Sequence, residues 1–328
     1  MRKFCLAIFT VLFVMASLVG VGSASDNYPD SPIKIIVPLA PGGGADMLAR
    51  MLAPHLGREM GTSFFVENIS GAGTQVGLTA LLAAPSDGYT IAATNQPHLG
   101  FTIAVQKADY KETDFAWVNI QLIDPLSFVV RPEKPWKDLQ DLINDIKANP
   151  GEIAIGVTQT GPGAVFLLFL QHEYGLDFVT VPYSGGGEAR TALLGDHIDV
   201  FLGAAQSDYS IKDQVRSIGI GWSERSSLWP DTPTFEEATG DKKLGDMANV
   251  LVNFRGILVS RKFKDEHPER FAKLLEGYKK AYYSEEHMAD AERTGQTAIM
   301  HWLGPDESDK LSSKANEIVA RYAEYFRK

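Results

Sequence analysis

Apolar and polar positions along the chain switch between two periods. "IKIIVPL" (residues 33–39) is apolar on both faces and predicts a buried strand. Residues 46–60 follow, with Met47, Leu48, Met51, Leu52 and Leu56 spaced as one helical face. Pro54 lies within that face and predicts a kink or an early end, because it removes one backbone hydrogen bond. "FFVEN", "YTIAATN", "SFVVRP", "EIAIGV", "FVTVPY", "HIDVFLGA" and "VRSIGIGW" read as further strands. "TQVGLTALLAA", "WKDLQDLINDIKAN", "GAVFLLFLQHEYG" and "EARTALLG" read as helices between them, and the last eighty residues are largely helical. This rhythm predicts an α/β architecture with mostly parallel sheets flanked by helices. The pattern restarts near residues 122–127 and again near 223–234. A second domain inserted into a first follows: residues 25–124 with 225–328, and residues 125–224.

The first residues follow another pattern. Arg2 and Lys3 precede an apolar stretch over residues 4–18, and "VGVGSAS" then offers small residues. That is the layout of a secretory signal peptide over residues 1–24, cleaved after Ala24, and it predicts a periplasmic protein. A membrane anchor fits less well, since about 20 apolar residues are needed to span a bilayer. Cleavage removes the only cysteine, Cys5, so neither disulfides nor thiol chemistry are expected. It also takes the formal net charge from −10 to −12. Nucleic acid and anionic membrane surfaces, which call for a basic face, are poor partners for such a chain, and no nucleic acid is expected.

Chemistry concentrates at three strand–loop–helix junctions rich in glycine. The first holds Ala40, Pro41, Gly42, Gly43, Gly44, Ala45 and Asp46. The second holds Thr158, Gln159, Thr160, Gly161, Gly163 and Ala164, and the third Tyr183, Ser184, Gly185 and Gly186. The free N–H groups of a helix's first turn, with its dipole, make an anion site that needs no basic side chain. The hydroxyls of Thr158, Thr160, Tyr183 and Ser184 add donors. A glycine turn that merely ends a strand has the same local look, but three of one design point to a shared site.

Other motifs fall short. "GAGTQVG" spaces its glycines one residue away from a dinucleotide fingerprint, and no Walker lysine or G-x-S-x-G elbow occurs. The seven histidines show no metal-ligand spacing, so no metal or cofactor is expected. Asp46 at a helix start suits capping better than catalysis. Arg190 is a candidate clamp for a carboxylate. Asn95 ends a strand, where α/β sheets bind ligands; His98, Phe166 and Asp208 are further candidates for the lining.

With these residues in view, the chain resembles the tripartite tricarboxylate transporter receptors, the Bug or TctC family of periplasmic solute-binding proteins. The resemblance rests on "YPDSPIKIIVPLAPGGGADMLARMLAPHL", "FFVENISGAG", "APSDGYTI", "TDFAWV", "GVTQTGPGA", "VPYSGGGEARTALLGDHIDV" and "PDTPTFEEATG", collinear from residue 28 onward. It implies a two-lobed binding protein of type II, or Venus flytrap, form with a hinge between lobes. It further implies a monomer that captures a small organic carboxylate (a di- or tricarboxylate, an amino acid or an aromatic acid) for integral membrane transporter subunits. In the family, loops from both lobes hold a ligand carboxylate largely through amides, here residues 40–46, 158–164 and 183–187. Ala45 departs from the usual hydroxyl residue, and Pro162 removes one donor. Two other readings stand beside this one: an exported enzyme acting through Arg190 and Asp46, and a binding protein used for sensing.

Overall fold

The computed structural model describes residues 27–327. The expected signal segment and its cleavage point lie outside them. In chain order the strands are β1 (Ile33–Val37), β2 (Phe64–Asn68), β3 (Thr90–Gln96), β4 (Phe115–Asp124), β5 (Leu126–Val130) and β6 (Ala154–Thr158). There follow β7 (Val179–Tyr183), β8 (Val200–Ala204), β9 (Arg216–Gly221), β10 (Asn253–Ser260) and β11 (Met300–Leu303). They form two sheets, ordered β11-β4-β10-β3-β1-β2 and β7-β6-β8-β5-β9. Each sheet is covered on both faces by helices, which is why its central strands read as unbroken apolar runs. Ile33, Ile35 and Val37 of β1 pack into one core layer and Ile36 into the opposite one.

The sheets are mixed rather than mostly parallel. β1 runs parallel to β2 and β3, and β6 parallel to β7 and β8. β10 is antiparallel to β3 and β4, β11 to β4, and β5 to both β8 and β9. Each antiparallel pair includes β4, β5 or β10, the strands next to the crossings between the sheets. β4 ends at Asp124 in the first sheet, and β5 begins at Leu126 in the second. The return enters β10 at Asn253, whose register partner is Asp124. Both crossings therefore lie side by side, the geometry of a hinge.

The return comes later than residue 225. Phe235, Leu244, Ala248 and Leu251 are buried in the core of the second sheet with Phe128 and Leu139. The helices Phe235–Thr239 and Lys242–Val250 thus pack with the second sheet, because their apolar faces are complementary to it rather than to the first. The C-terminal helix Pro305–Tyr322 spans the junction, sharing a core with Phe101 on one side and Phe166 on the other.

The helix Gly44–Met60 differs from expectation in two ways. Its buried face is Ala45, Leu48, Ala49, Leu52 and Leu56, and Met47 is exposed. Small alanines let the helix sit close to the sheet, so methionine is not needed for cover. Pro54 lies inside the helix without ending it. It points to solvent, as does Arg50, whose carbonyl loses its N–H partner to the ring. The unpaired carbonyl thus lies on the solvent side of the helix, where its loss of a partner costs least, and the helix continues.

Candidate functional site

Each glycine junction follows the carboxyl end of a parallel strand: β1, β6 and β7. The first opens the helix Gly44–Met60, whose N-cap Gly43 offers no side-chain cap. Met47 is the first residue with a bonded N–H, to the Gly43 carbonyl at 2.9 Å. The N–H groups of Gly43, Gly44, Ala45 and Asp46 consequently have no acceptor among the described residues. Gly42 differs: its N–H donates to Asp46 Oδ2 at 2.9 Å. Its φ of +79° is the left-handed value that favours glycine.

Asp46 turns away from any ligand. Its carboxylate accepts from Gly42 N–H, from Arg50 Nε at 3.0 Å and from Asn68 Nδ2 at 2.9 Å. Burial pushes its carboxyl up, but the Arg50, Gly42 and Asn68 hydrogen bonds outweigh that and hold it below the usual carboxylate range. Asp46 is the clasp that shapes the loop.

The second and third junctions are neighbours, since Thr158 and Tyr183 are register partners and Gln159 N–H donates to the Tyr183 carbonyl at 2.9 Å. The helix Gly186–Leu194 also starts without a side-chain cap; its first bonded N–H is that of Ala189, to Gly185. Gly185, Gly186, Gly187 and Glu188 N–H groups have no acceptor among the described residues. Ser184 does not reach outward, because its N–H and hydroxyl both donate to Glu188. The helix Pro162–Tyr174 is more closed: Gly161 N–H donates to Thr158, Ala164 N–H to Gly161, and Gly161, Gly163 and Ala164 are buried. Pro162 has no N–H to give. Thr160 and Gly163 keep theirs unbonded among the described residues. Elsewhere Asp138, Thr234, Asp241, Ser260 and Ser284 each cap a helix with a side chain, whereas Thr74, Pro97 and His267 do not.

Sequence reasoning passed over the residues that link the lobes. Arg255 of β10 is 9% exposed and lies against the first junction: a Cβ on Gly44 would stand 2.6 Å from its Nε. Its Nη2 lies 3.5 Å from Asp124 Oδ2. Asp124 also accepts from Gln206 N–H at 2.9 Å and Ser207 Oγ at 3.2 Å, both in the second lobe. Next to them Asp208, fully buried, pairs with Arg190 at 3.2 Å. Arg190 in turn lies beside Gly186. A line of charges therefore runs from Gly44 to Gly186 across the hinge. Its sequence signals were an arginine alone in "NFRGILVS" and an aspartate just before Pro125.

Asn95 of β3 is the register partner of Arg255. Asn95 Oδ1, His98 Nδ1 and Arg255 Nε are buried and have no hydrogen-bond partner among the described residues. Burial and the Arg255 charge lower the His98 pKa to about 4, so its ring is neutral at physiological pH. Phe166 does not line the site; it packs against Phe128, Phe169 and Phe235 in the second core. The glycines of "GAGTQVG" serve packing: a Cβ on Gly77 would stand 2.6 Å from the Ile69 carbonyl oxygen.

Two α/β lobes joined by paired crossings, with glycine junctions flanking the hinge, define a two-lobed periplasmic-binding-protein fold. The family model described as the tripartite tricarboxylate transporter family receptor matches residues 48–254. The chain belongs to that TctC family. It is 32% identical to protein BugT of Bordetella pertussis over 232 residues, covering 69% of this chain and 71% of BugT. Its fold is similar to that of MatC from Rhodopseudomonas palustris with bound malate (TM-score 0.68, 22% identity, 91% of this chain and 100% of that one). It is similar also to Rpa4515 of R. palustris with adipate (TM-score 0.71, 20% identity, 90% and 96%).

Proposed function

We propose that this chain is a periplasmic solute-binding protein, not an enzyme, that takes a small organic carboxylate between its lobes and delivers it to integral membrane transporter subunits. The observation that carries the reading is the pair of helices starting at Gly44 and Gly186 with no side-chain cap, one in each lobe. A capping residue would consume the donors that a carboxylate needs. Charge-assisted hydrogen bonds contribute roughly 1.5–3 kcal/mol each, and a helix end about 0.3–1 kcal/mol more. Micromolar affinity corresponds to about 8 kcal/mol, so four or five such contacts suffice after ordering costs. Closure follows if the ligand bridges both lobes, because only the closed state then makes all the contacts. The malate and adipate bound by the two structural relatives set the size of ligand to try first.

Isothermal titration of the protein, without its first 24 residues, against succinate, malate, adipate, citrate and amino acids tests this. Binding of at least one carboxylate with micromolar or tighter affinity is expected. No binding across the panel, with turnover of any member, would overturn it.

A further inference from the structure

We infer that Arg255 is the cation that holds the ligand's carboxylate, with Asp124 as the positioning residue that aims it from the hinge. The inference rests on the reading of the site as a carboxylate site. Three observations converge on Arg255. Its side chain is buried to nine-tenths, yet its Nε–H has no acceptor among the described residues. That Nε stands against Gly44, where the unbonded amides of the first junction begin. Its only ion pair among the described residues, with Asp124, uses Nη2 at 3.5 Å and does not engage the buried Nε–H. A buried donor left without an acceptor is costly, and a carboxylate oxygen between Nε–H and the helix amides would satisfy both at once.

Asp124 makes this contact sensitive to lobe position. It is the last residue of β4 before the crossing, and its two oxygens bind Gln206 and Ser207 of the other lobe. A movement of that lobe shifts the carboxylate that orients Arg255. Asn95, the register partner of Arg255, and His98, whose ring feels the Arg255 charge, add an Oδ1 and an Nδ1 that are likewise buried and without a partner among the described residues.

The test compares wild type, Arg255→Gln and the double variant Arg255→Gln/Asp124→Asn by calorimetry with succinate, malate and adipate. The tightest carboxylate is then compared with its mono-carboxamide. Removing Arg255 alone strands a buried carboxylate, so the double variant is the decisive one. It is expected to bind the carboxylate at least tenfold more weakly and to lose the preference for carboxylate over carboxamide. Asp124→Asn alone should weaken binding severalfold and reduce that preference, which a merely structural role would leave alone. If the double variant folds and binds as wild type does, the inference fails. Should it not fold, the wild-type protein still decides. With 15N-labelled arginine, ligand addition must shift the Arg255 Nε–H resonance, and an unmoved resonance at saturation overturns the inference alone. Absence of binding by wild type would overturn both this and the reading beneath it.

Discussion

At the scale of single residues, three substitutions separate the clasp of the first junction from the binding surfaces of the two lobes. Gly44→Ala places a methyl group 2.6 Å from Arg255 Nε and 2.8 Å from its Cζ, so the guanidinium must move. Gly186→Ala meets Arg190 Nη1 at 3.2 Å, a contact that a small shift relieves. Calorimetry should therefore show at least a tenfold loss of carboxylate affinity for Gly44→Ala and a smaller loss for Gly186→Ala. Equal losses, or none, would mean that Arg255 does not crowd the first junction. Asp46→Asn acts differently, because the two carboxylate oxygens between them accept from Gly42, Arg50 and Asn68, and the substitution turns one of them into a competing donor. Leaving such a donor unsatisfied costs about 1–3 kcal/mol. The urea midpoint should fall accordingly, and an unchanged midpoint would show that the clasp contributes nothing to folding.

At the scale of elements, the helix Gly44–Met60 offers the clearest check on how a sequence pattern becomes structure. A proline in a helix interior is about 3 kcal/mol less favourable than alanine. Pro54 is exposed, so no packing depends on its ring. Pro54→Ala should raise stability by about 1–3 kcal/mol, read as a higher denaturant midpoint at unchanged slope. A lower midpoint would show that the ring relieves some other strain. The three glycine junctions were legible because strand, turn and helix signals coincide within a few residues. The strand β4 was not: Asn119 and Gln121 alternate with Val118, Ile120 and Leu122 as in a half-buried strand, yet both faces are buried, and the apolar start "FAW" breaks the alternation. β10 hid for a related reason: its arginine reads as a surface residue until the hinge places Asp124 next to it. No local pattern reports a partner 131 positions away on another strand, a separation visible only once Asp124 and Arg255 are paired in space.

At the scale of the whole molecule, the charges that cross the hinge tie folding to pH. Burial drives the Asp208 carboxyl from its ordinary 3.8 up to about 7; Arg190 opposes the shift and Asp124 adds to it. Asp124 itself is raised, chiefly by burial, with Arg255 acting against it. A carboxyl raised in the folded state is protonated there over a pH range in which the unfolded chain has already released its proton. The folded state then binds more protons, so Asp208 costs stability progressively as pH rises from about 4 to about 7, and by a constant amount above that. His98 acts with the opposite sign: burial lowers it from 6.5 to about 4, so its contribution grows over nearly the same range. The two slopes oppose each other in the wild-type protein, and a simple pH profile of its thermal midpoint would conceal both. The difference between Asp208→Asn and wild type removes the His98 contribution, which is common to both. That difference should move in favour of the variant as pH rises from about 4 to about 7 and then level off, whatever constant offset the loss of the Arg190 pair introduces. Three pKa units at 1.36 kcal/mol each set an upper bound of about 4 kcal/mol on the change. Thermal unfolding of both proteins at half-unit steps from pH 4 to pH 8 measures it, and a difference that stays flat across this range would show that Asp208 is ionised in the folded protein.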